Sequence, residues 1–150
     1  MQLTLHADYG FRVLLYLGSQ PIGRVVSTKE ISSSYGISRN HLVRVVQTLN
    51  DRGYVNVSPG RSGGVSLARD PKLIRLGDVM RQTETNMRVV ECFDRQTNTC
   101  PIIGRCRLQP VLGEALSAFM AVLDRYTLAD LLDSRTKSSL AKIFGSIGSS

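Results

Sequence analysis

The order of helix-start and turn signals between residues 27 and 53 places the strongest constraint on this fold. Residues 27–30 read Ser-Thr-Lys-Glu, the spacing of a capping box, in which the serine hydroxyl and the glutamate carboxylate bond free amides at a helix start. Gly36 supplies a turn after this helix, Ser38 can cap the next helix, and Gly53 ends it. Since helical apolar spacing also runs over residues 3–19, the pattern predicts three helices, with a tight turn between the second and third.

A β-hairpin is predicted directly after the third helix. Residues 54–58 alternate and are rich in β-branched side chains, residues 59–64 (Pro-Gly-Arg-Ser-Gly-Gly) form a glycine-rich turn, and residues 65–67 alternate again. Three helices followed by a two-stranded hairpin have the order of a winged helix-turn-helix, expected here over residues 1–75. The fold class is therefore mainly α with a small β-hairpin wing.

The third helix has the pattern of a DNA recognition helix. At 100° per residue, four apolar side chains share one face that can be buried: Leu42, Val45, Val46 and Leu49. The opposite face carries Asn40, Arg44, Gln47 and Asp51. Because asparagine and glutamine can pair with adenine, and arginine with guanine, this face can read a major groove.

Further candidate DNA contacts surround this face. The start of the second helix offers Lys29 and free amides to a backbone phosphate, and Arg61 at the wing tip can follow a minor groove. The residues predicted to bind DNA are Ser27, Thr28, Lys29, Ser38, Arg39, Asn40, His41, Arg44, Gln47, Arg61 and Ser62. Any one of them could belong to an ordinary solvated face, but their joint arrangement favours DNA.

The charge distribution agrees with an N-terminal half that binds a polyanion. The chain has 19 Lys and Arg residues against 12 Asp and Glu residues, a net charge of +7. Residues 1–75 hold ten basic and four acidic residues, whereas residues 76–150 hold nine and eight. A basic half joined to a nearly neutral half indicates a nucleic-acid-binding module with a separate sensing or pairing module.

The segment 76–110 is expected to contain a short helix near residues 76–82 and then a loop that holds every cysteine of the chain. Cys92, Cys100 and Cys106 have the spacing C-x7-C-x5-C, which matches neither a zinc finger nor a plant-type ferredoxin. Three thiols this close in sequence can still converge on one inorganic centre, and an odd number of cysteines disfavours a disulfide framework. The residues alone leave open a zinc site, an iron–sulfur cluster, and free thiols, of which a pair could oxidise.

Residues 111–144 are predicted to form a long helix and shorter helical pieces. From Val111 the apolar residues repeat every three or four positions and form a seam of Leu112, Leu116, Phe119, Leu123 and Tyr126. So long a seam on a small protein favours a C-terminal dimerisation helix, the alternative being burial within the same subunit. Short helical pieces are expected at 127–132 and 140–144, followed by a loose tail over 145–150.

Several classes of protein are disfavoured. The longest apolar run, near residues 13–17, is far shorter than the roughly 20 residues of a membrane span, and the N-terminus lacks the pattern of an export signal. We therefore expect a cytoplasmic protein without a membrane partner. An enzyme is not expected, because no cysteine and histidine lie close in sequence and no glycine-rich cofactor loop occurs.

Five motifs occur together in this chain: residues 8–10 (Asp-Tyr-Gly), residues 38–42 (Ser-Arg-Asn-His-Leu), the glycine pair 63–64, the three-cysteine segment, and residues 126–131 (Tyr-Thr-Leu-Ala-Asp-Leu). In this order they resemble the NsrR family of nitric-oxide-sensitive repressors, within the superfamily of iron–sulfur winged-helix regulators. The resemblance covers roughly residues 1–133.

The resemblance implies a homodimer with one iron–sulfur cluster, 4Fe–4S or 2Fe–2S, in each subunit. Cys92, Cys100 and Cys106 match the family's three cysteine ligands, and Asp8 matches an acid that completes a 4Fe–4S cluster from the partner subunit in some members. Asp8 also lies near the start of helix one, where Arg12, one turn later, can pair with it. A related regulator of iron–sulfur assembly uses a histidine three residues past its last cysteine, where this chain has Gln109.

The function implied by the resemblance is that of a nitric-oxide-sensing transcriptional repressor. The homodimer would bind a pseudo-palindromic operator duplex while its cluster is intact and would release the DNA when nitric oxide attacks the cluster. Two alternatives stay open: an iron-sensing or redox-sensing regulator of the same superfamily, and a zinc-stabilised DNA-binding protein.

Overall fold

The computed structural model describes residues 2–147 and is mainly α-helical with one small β-hairpin, as predicted. The helices and strands follow one another as α1 (Leu5–Ser19), α2 (Thr28–Tyr35), α3 (Arg39–Asp51), β1 (Val55–Ser58), β2 (Gly64–Leu67), α4 (Leu76–Thr83), α5 (Leu108–Asp124) and α6 (Ser134–Ile147). Short 3-10 turns lie at Pro71–Leu73, Glu91–Phe93 and Ala129–Leu131. The order from α1 to β2 is the one predicted for a winged helix-turn-helix.

The first three helices pack around one apolar core. Helix α3 buries the four predicted residues, which are Leu42, Val45, Val46 and Leu49. Val13, Leu14 and Leu17 of α1 and Ile31 of α2 belong to the same core cluster. Burial of these side chains removes apolar surface from water and fixes α3 against the other two helices, with its polar face outward.

The wing is an antiparallel pair in which Val55 lies opposite Leu67 and Ser58 opposite Gly64. Val26, just before α2, exchanges two backbone hydrogen bonds with Val65, at 2.8 and 2.7 Å, and so anchors the wing to the helical core. A Cβ atom on Gly64 would lie 2.4 Å from the carbonyl oxygen of Val26. Glycine at this position therefore allows the close approach of the hairpin to the segment before α2.

Helix α5 begins at Leu108, three residues before the expected start at Val111. Pro110 occupies the third position of the helix, where its missing N–H has no partner to lose, because the first four amides of a helix have no acceptor within it. The predicted long helix is thus present and slightly longer than expected.

Two expectations for the C-terminus were wrong. Helix α6 covers Ser134–Ile147, where only a short piece at 140–144 was expected, and it extends into the segment predicted as a loose tail. The first half of α6 is polar, so it has no apolar repeat to indicate a helix; Asp133 caps its start by accepting from the Thr136 amide at 2.7 Å. The remainder of the predicted tail, 148–150, lies outside the described residues.

Helix α6 packs back onto α1 and α2. Phe144 joins the core cluster of the winged helix-turn-helix, together with Leu128 and Leu132 from the segment that follows α5. The segment that follows the long helix therefore packs against the DNA-binding domain and contributes to its core. Within residues 2–147, no helix combines the length and the hydropathy needed to cross a membrane.

Candidate DNA interface and cysteine loop

Nearly all of the side chains predicted to contact DNA are exposed. Ten of the eleven are exposed, at the starts of α2 and α3, along the outer face of α3, or at the wing tip, and Thr28 is half-buried. Asn40, Arg44 and Gln47 lie on the outer face of α3, as its periodicity predicted. On that face Gln47 Nε2 donates to Asp51 Oδ1 at 2.7 Å, so Asp51 orients the amide that faces outward.

The starts of α2 and α3 are capped differently from the prediction. The Ser27 hydroxyl accepts from the Glu30 amide at 3.1 Å, which is one half of the expected capping box. The Glu30 carboxylate accepts instead from the Tyr16 hydroxyl and from Arg24, each at 2.8 Å, because the part-buried phenol needs an acceptor. Ser38 occupies the cap position of α3 without a side-chain cap bond, and its exposed hydroxyl stays available to a ligand.

The base of the wing is fixed to the end of the recognition helix by an arginine that sequence reasoning missed. Arg69 donates from Nε to the carbonyl oxygen of Gly53 at 2.7 Å and from Nη2 to that of Arg52 at 2.8 Å. Its guanidinium also lies 4.8 Å from the ring centroid of Tyr54. Arg69 therefore satisfies carbonyls at the α3 C-terminus and holds the angle between helix and wing.

Helix α1 contacts the recognition helix through two histidines. His6 Nε2 lies 3.1 Å from the Thr48 hydroxyl, which itself donates to the Arg44 carbonyl oxygen at 3.2 Å. The ring of His41, at the start of α3, lies 6.4 Å from the ring of Tyr9 between centroids. A displacement of the first turns of α1 would therefore move α3 near both ends of the face that carries the predicted DNA contacts.

Asp8 and Arg12 form the predicted ion pair on α1. Arg12 Nη2 lies 2.7 Å from Asp8 Oδ2, and Arg12 Nε lies 3.2 Å from Oδ1. The Arg12 guanidinium also lies 5.6 and 5.9 Å from the ring centroids of Tyr9 and Tyr35. Burial raises the pKa of Tyr35 to about 12, and its hydroxyl donates to the Arg12 carbonyl oxygen at 3.0 Å. Both carboxylate oxygens of Asp8 are thus engaged within the protomer.

The three cysteines lie on the loop between α4 and α5. All three are free thiols and half-buried. Carboxylates of the loop brace it from within: Glu91 Oε1 accepts from the amide and hydroxyl of Thr99 at 3.0 and 2.8 Å, and Asp94 accepts from Thr97 and pairs with Arg88. Gln109, in the first turn of α5, donates to the Cys92 carbonyl oxygen at 3.0 Å.

The donor chemistry of this loop fits an iron–sulfur cluster, since thiolates are the ligands that such clusters prefer. Its path does not gather those donors in one protomer. Within residues 2–147 no group of three or more His, Cys, Asp or Glu side chains comes together at a spacing that could hold a metal ion. The predicted ligands Cys92, Cys100, Cys106 and Asp8 therefore have the right donor chemistry for a cluster. The single chain does not bring them together, so their role as ligands stays a prediction.

Helix α5 carries an apolar surface that residues 2–147 of its own chain leave uncovered. It packs against α4, and Met120 is its buried residue. Of the predicted seam, Phe119 and Tyr126 are exposed, while Leu112, Leu116 and Leu123 are half-buried. Three large apolar residues outside the predicted seam are also exposed: Leu108, Val111 and Val122.

A family model described as Rrf2, iron-dependent transcriptional regulator, matches residues 3–134. The chain belongs to the Rrf2 family. The matched range contains the winged helix-turn-helix, the cysteine loop and all of α5, and it ends as α6 begins. The protein is accordingly a DNA-binding transcriptional regulator of the Rrf2 family, and α6 lies almost wholly beyond the family match.

Curated relatives confirm the resemblance to NsrR. The chain is 47% identical over 132 residues to the "HTH-type transcriptional regulator NsrR" of Shouchella clausii (strain KSM-K16), covering 88% of this chain and 89% of that protein. It is 45% identical over 143 residues to the regulator of the same name in Bacillus subtilis (strain 168), covering 95% and 97%. Among solved structures, a putative transcriptional regulator from Listeria innocua superposes with a TM-score of 0.72 at 25% identity, covering 87% of this chain and 85% of that one.

Sequence reasoning about this Rrf2 protein missed the residues that connect its parts. Arg69, His6 and Gln109 each bond a backbone or side-chain group distant in sequence, and so does Glu84, whose carboxylate accepts from Thr4. No local pattern marks such contacts, because each depends on how two elements meet. The one sequence signal for such a residue was the position of Gln109, three residues past the last cysteine, where a related regulator has its histidine ligand.

Proposed function

We propose that this Rrf2 regulator is a repressor whose affinity for operator DNA depends on an iron–sulfur cluster and falls when nitric oxide is present. The observation that carries the proposal is the placement of three free, half-buried thiols on one loop beside a winged helix-turn-helix. The family description as iron-dependent and the NsrR names of the relatives support it.

Cys92, Cys100 and Cys106 would hold the cluster, with Asp8 of a second copy as the candidate fourth ligand. When bound, such a cluster supplies iron that nitric oxide can bind in competition with protein ligands. Both Asp8 carboxylate oxygens bond Arg12, so use of Asp8 as a ligand requires that this ion pair opens. Arg12 would then keep its contacts with the rings of Tyr9 and Tyr35.

The helix that carries Asp8 also touches the recognition helix. His6, two residues before Asp8, bonds Thr48, and Tyr9, the residue after Asp8, contacts His41. A shift of α1 would therefore move α3 relative to its partner α3 in a dimer and change the fit of the two reading faces to an operator.

Dimerisation through α5 is part of the proposal. The described residues of one chain leave Val111, Phe119 and Val122 of this helix, and Tyr126 just after its end, between 38% and 58% exposed. A second copy of α5 would cover these side chains and gain the free energy of apolar burial. In a two-fold dimer, the two recognition helices would each bind one half of a pseudo-palindromic site.

The experiment that tests the function is an anaerobic preparation with assays of iron, acid-labile sulfide and zinc, followed by DNA binding. The probe is a duplex enriched from a random-sequence pool by the anaerobic protein. We expect iron and sulfide in the preparation, a coloured protein, and binding that weakens at least tenfold after a nitric oxide donor is added.

The matched control is the variant with Cys92, Cys100 and Cys106 all replaced by serine, which keeps side-chain size and removes the thiols. It should bind neither iron nor sulfide, and its affinity for the duplex should not respond to the donor. A colourless wild-type protein that contains zinc, or a loaded protein whose DNA binding ignores nitric oxide, would contradict the proposal.

A further inference from the structure

The N-terminal cap of α1 is bonded to the residue at which the cysteine loop begins. Glu84 Oε2 accepts from the backbone N–H of Thr4 at 3.1 Å and from its hydroxyl at 3.0 Å. The Thr4 hydroxyl in turn accepts from the Ala7 amide at 3.2 Å, as the cap of the first turn of α1. One carboxylate thus fixes the residue that caps α1, 80 positions away in sequence.

A second contact makes this junction a close one. Gly10 of α1 faces Thr83, the last residue of α4, and a Cβ atom at Gly10 would lie 3.3 Å from Thr83 Cγ2. Thr83 is 1% exposed, and its hydroxyl donates to the Val79 carbonyl oxygen at 2.8 Å. The C-terminal end of α4 therefore packs firmly against α1, with Glu84 as the next residue.

Glu84 has a defined position because its own backbone ends α4. The Glu84 amide donates to the Met80 carbonyl oxygen at 2.9 Å, and Glu84 is the C-cap of the helix. The loop that carries the three thiols starts at the following residue. Glu84 is therefore directly joined to the loop on one side and bonded to the cap of α1 on the other.

The far side of the same turn of α1 contacts the recognition helix. His6, two residues after Thr4, bonds Thr48 of α3 at 3.1 Å. A continuous series of contacts thus runs from Glu84 through Thr4 and the first turn of α1 to α3. This series lies within one protomer and is separate from the pair of Asp8 with Arg12.

We propose that Glu84 is a positioning residue, through which the state of the cysteine loop sets the position of the first turn of α1 and hence of the recognition helix. The inference rests on the proposed function and adds to it a route that needs no ligand from a second copy. Loss of the Glu84 carboxylate would leave the loop able to hold its cofactor but would disconnect it from α1.

Three variants separate this role from a general effect on folding. Glu84→Ala removes both bonds to Thr4, whereas Glu84→Gln keeps an amide oxygen as acceptor. Asp130→Ala is the matched control, since Asp130 also accepts from the amide and hydroxyl of a threonine, Thr127, but both ends of that contact lie between α5 and α6, outside the cysteine loop.

The first measurement is hydrogen exchange on the cluster-free proteins. We expect the amides of Thr4 and Ala7 to exchange about tenfold faster in Glu84→Ala than in the wild type, because the Thr4 amide loses its bond to a charged acceptor and the Ala7 amide bonds the Thr4 hydroxyl that the same carboxylate holds. Glu84→Gln should lie near the wild type, and Asp130→Ala should leave these amides unchanged. Wild-type exchange in Glu84→Ala would overturn the inference.

The second measurement is the Kd for the enriched duplex, determined for each protein without and with its cluster. The ratio of the two Kd values is compared between wild type and variants whose loaded samples contain equal amounts of iron. We expect this ratio to fall at least fivefold in Glu84→Ala and to be retained in Glu84→Gln. A large wild-type ratio that Glu84→Ala preserves overturns this inference alone, even if the variant melts at a lower temperature. A wild-type ratio near one overturns the proposed function, and the inference with it.

Discussion

The ring of Phe144 lies 4.5 Å from the ring of Tyr16, measured between centroids, and 5.3 Å from the ring of Tyr35. Through this contact α6 inserts an aromatic side chain between α1 and α2. Phe144 is only 8% exposed, although it lies ten residues beyond the range that matches the Rrf2 family. A helix outside the family match thus completes the core of the DNA-binding domain.

Replacement of this ring should destabilise the whole domain. We expect Phe144→Ala to lower the free energy of unfolding by about 3 kcal/mol, because it removes a buried aromatic side chain and leaves a cavity. Urea denaturation followed by circular dichroism measures the change. Ile143→Ala, at a neighbouring position that is 52% exposed, is the control and should change stability little. Equal effects of the two substitutions would show that α6 does not belong to the core.

Local patterns predicted the fold where each helix had its own apolar repeat and cap. The four buried residues of α3 followed from their spacing, and the wing followed from alternation bounded by glycine. Helix α6 was shortened in the prediction because residues 134–139 read Ser-Arg-Thr-Lys-Ser-Ser and show no period. Phe144 and Leu140 pack this helix against the core, a tertiary contact that sequence periodicity does not reveal.

The candidate site was predictable in residue type and less so in geometry. The sequence showed which side chains face outward on α3, because 100° per residue determines a helix face. It showed three cysteines but not the path of the loop, which is braced by hydrogen bonds that Thr99 donates to Glu91 and Thr97 donates to Asp94. Contacts such as that of Glu84 with Thr4 join parts of the chain whose meeting depends on packing.

The planar guanidinium group of Arg69 should be required for stability and for DNA binding. We expect both Arg69→Ala and Arg69→Lys to lower the free energy of unfolding by about 1–2 kcal/mol, because alanine has no donor and lysine lacks the planar fork that aligns two nitrogens with the carbonyls of Arg52 and Gly53. Both should also weaken binding to the enriched duplex, since the wing loses its fixed angle to α3. Thermal denaturation and fluorescence anisotropy measure the two effects. Wild-type behaviour of Arg69→Lys would show that the charge matters and not the two-point geometry.

The contact of α4 with α5 should weaken in acid. Arg81 donates to both carboxylate oxygens of Asp124, each at 2.7 Å, and these bonds hold the pKa of Asp124 below its usual range. Since the unfolded chain then binds the proton more readily, Asp124 contributes stability above its unfolded pKa of roughly 3.9, and this contribution is lost as pH falls through the lower folded pKa.

The variant Asp124→Asn tests this dependence. At pH 7 it should melt roughly 2 °C below the wild type, because the ion pair is partly exposed and screened. Below the folded pKa the two proteins should melt at the same temperature. Calorimetric scans between pH 2 and pH 7 give both melting temperatures. If the difference between them were constant across this range, titration of Asp124 would not be its cause.

A charge on the exposed face of α5 should prevent association. We expect Phe119→Glu to be monomeric under conditions where the wild type sediments as a dimer, because a carboxylate would be buried against the apolar stripe of a second copy. Far-ultraviolet circular dichroism should show the helix intact, since the Phe119 side chain is 38% exposed in the single chain. Sedimentation velocity decides the result. A dimer of unchanged affinity would place the interface on another surface.

The reading face and the phosphate contacts should differ in their dependence on sequence and salt. Arg44→Ala should weaken binding to the enriched duplex by about 1–3 kcal/mol and leave binding to random duplex nearly unchanged, because a base contact carries specificity. Lys29→Ala should weaken both to a similar degree and reduce the slope of log K against log salt by about one, because one phosphate contact is lost. Lys72→Ala removes the same charge outside the predicted interface and serves as the control. If Lys72→Ala reproduced the salt slope of Lys29→Ala, the effect would come from net charge, and the start of α2 would not be a phosphate contact.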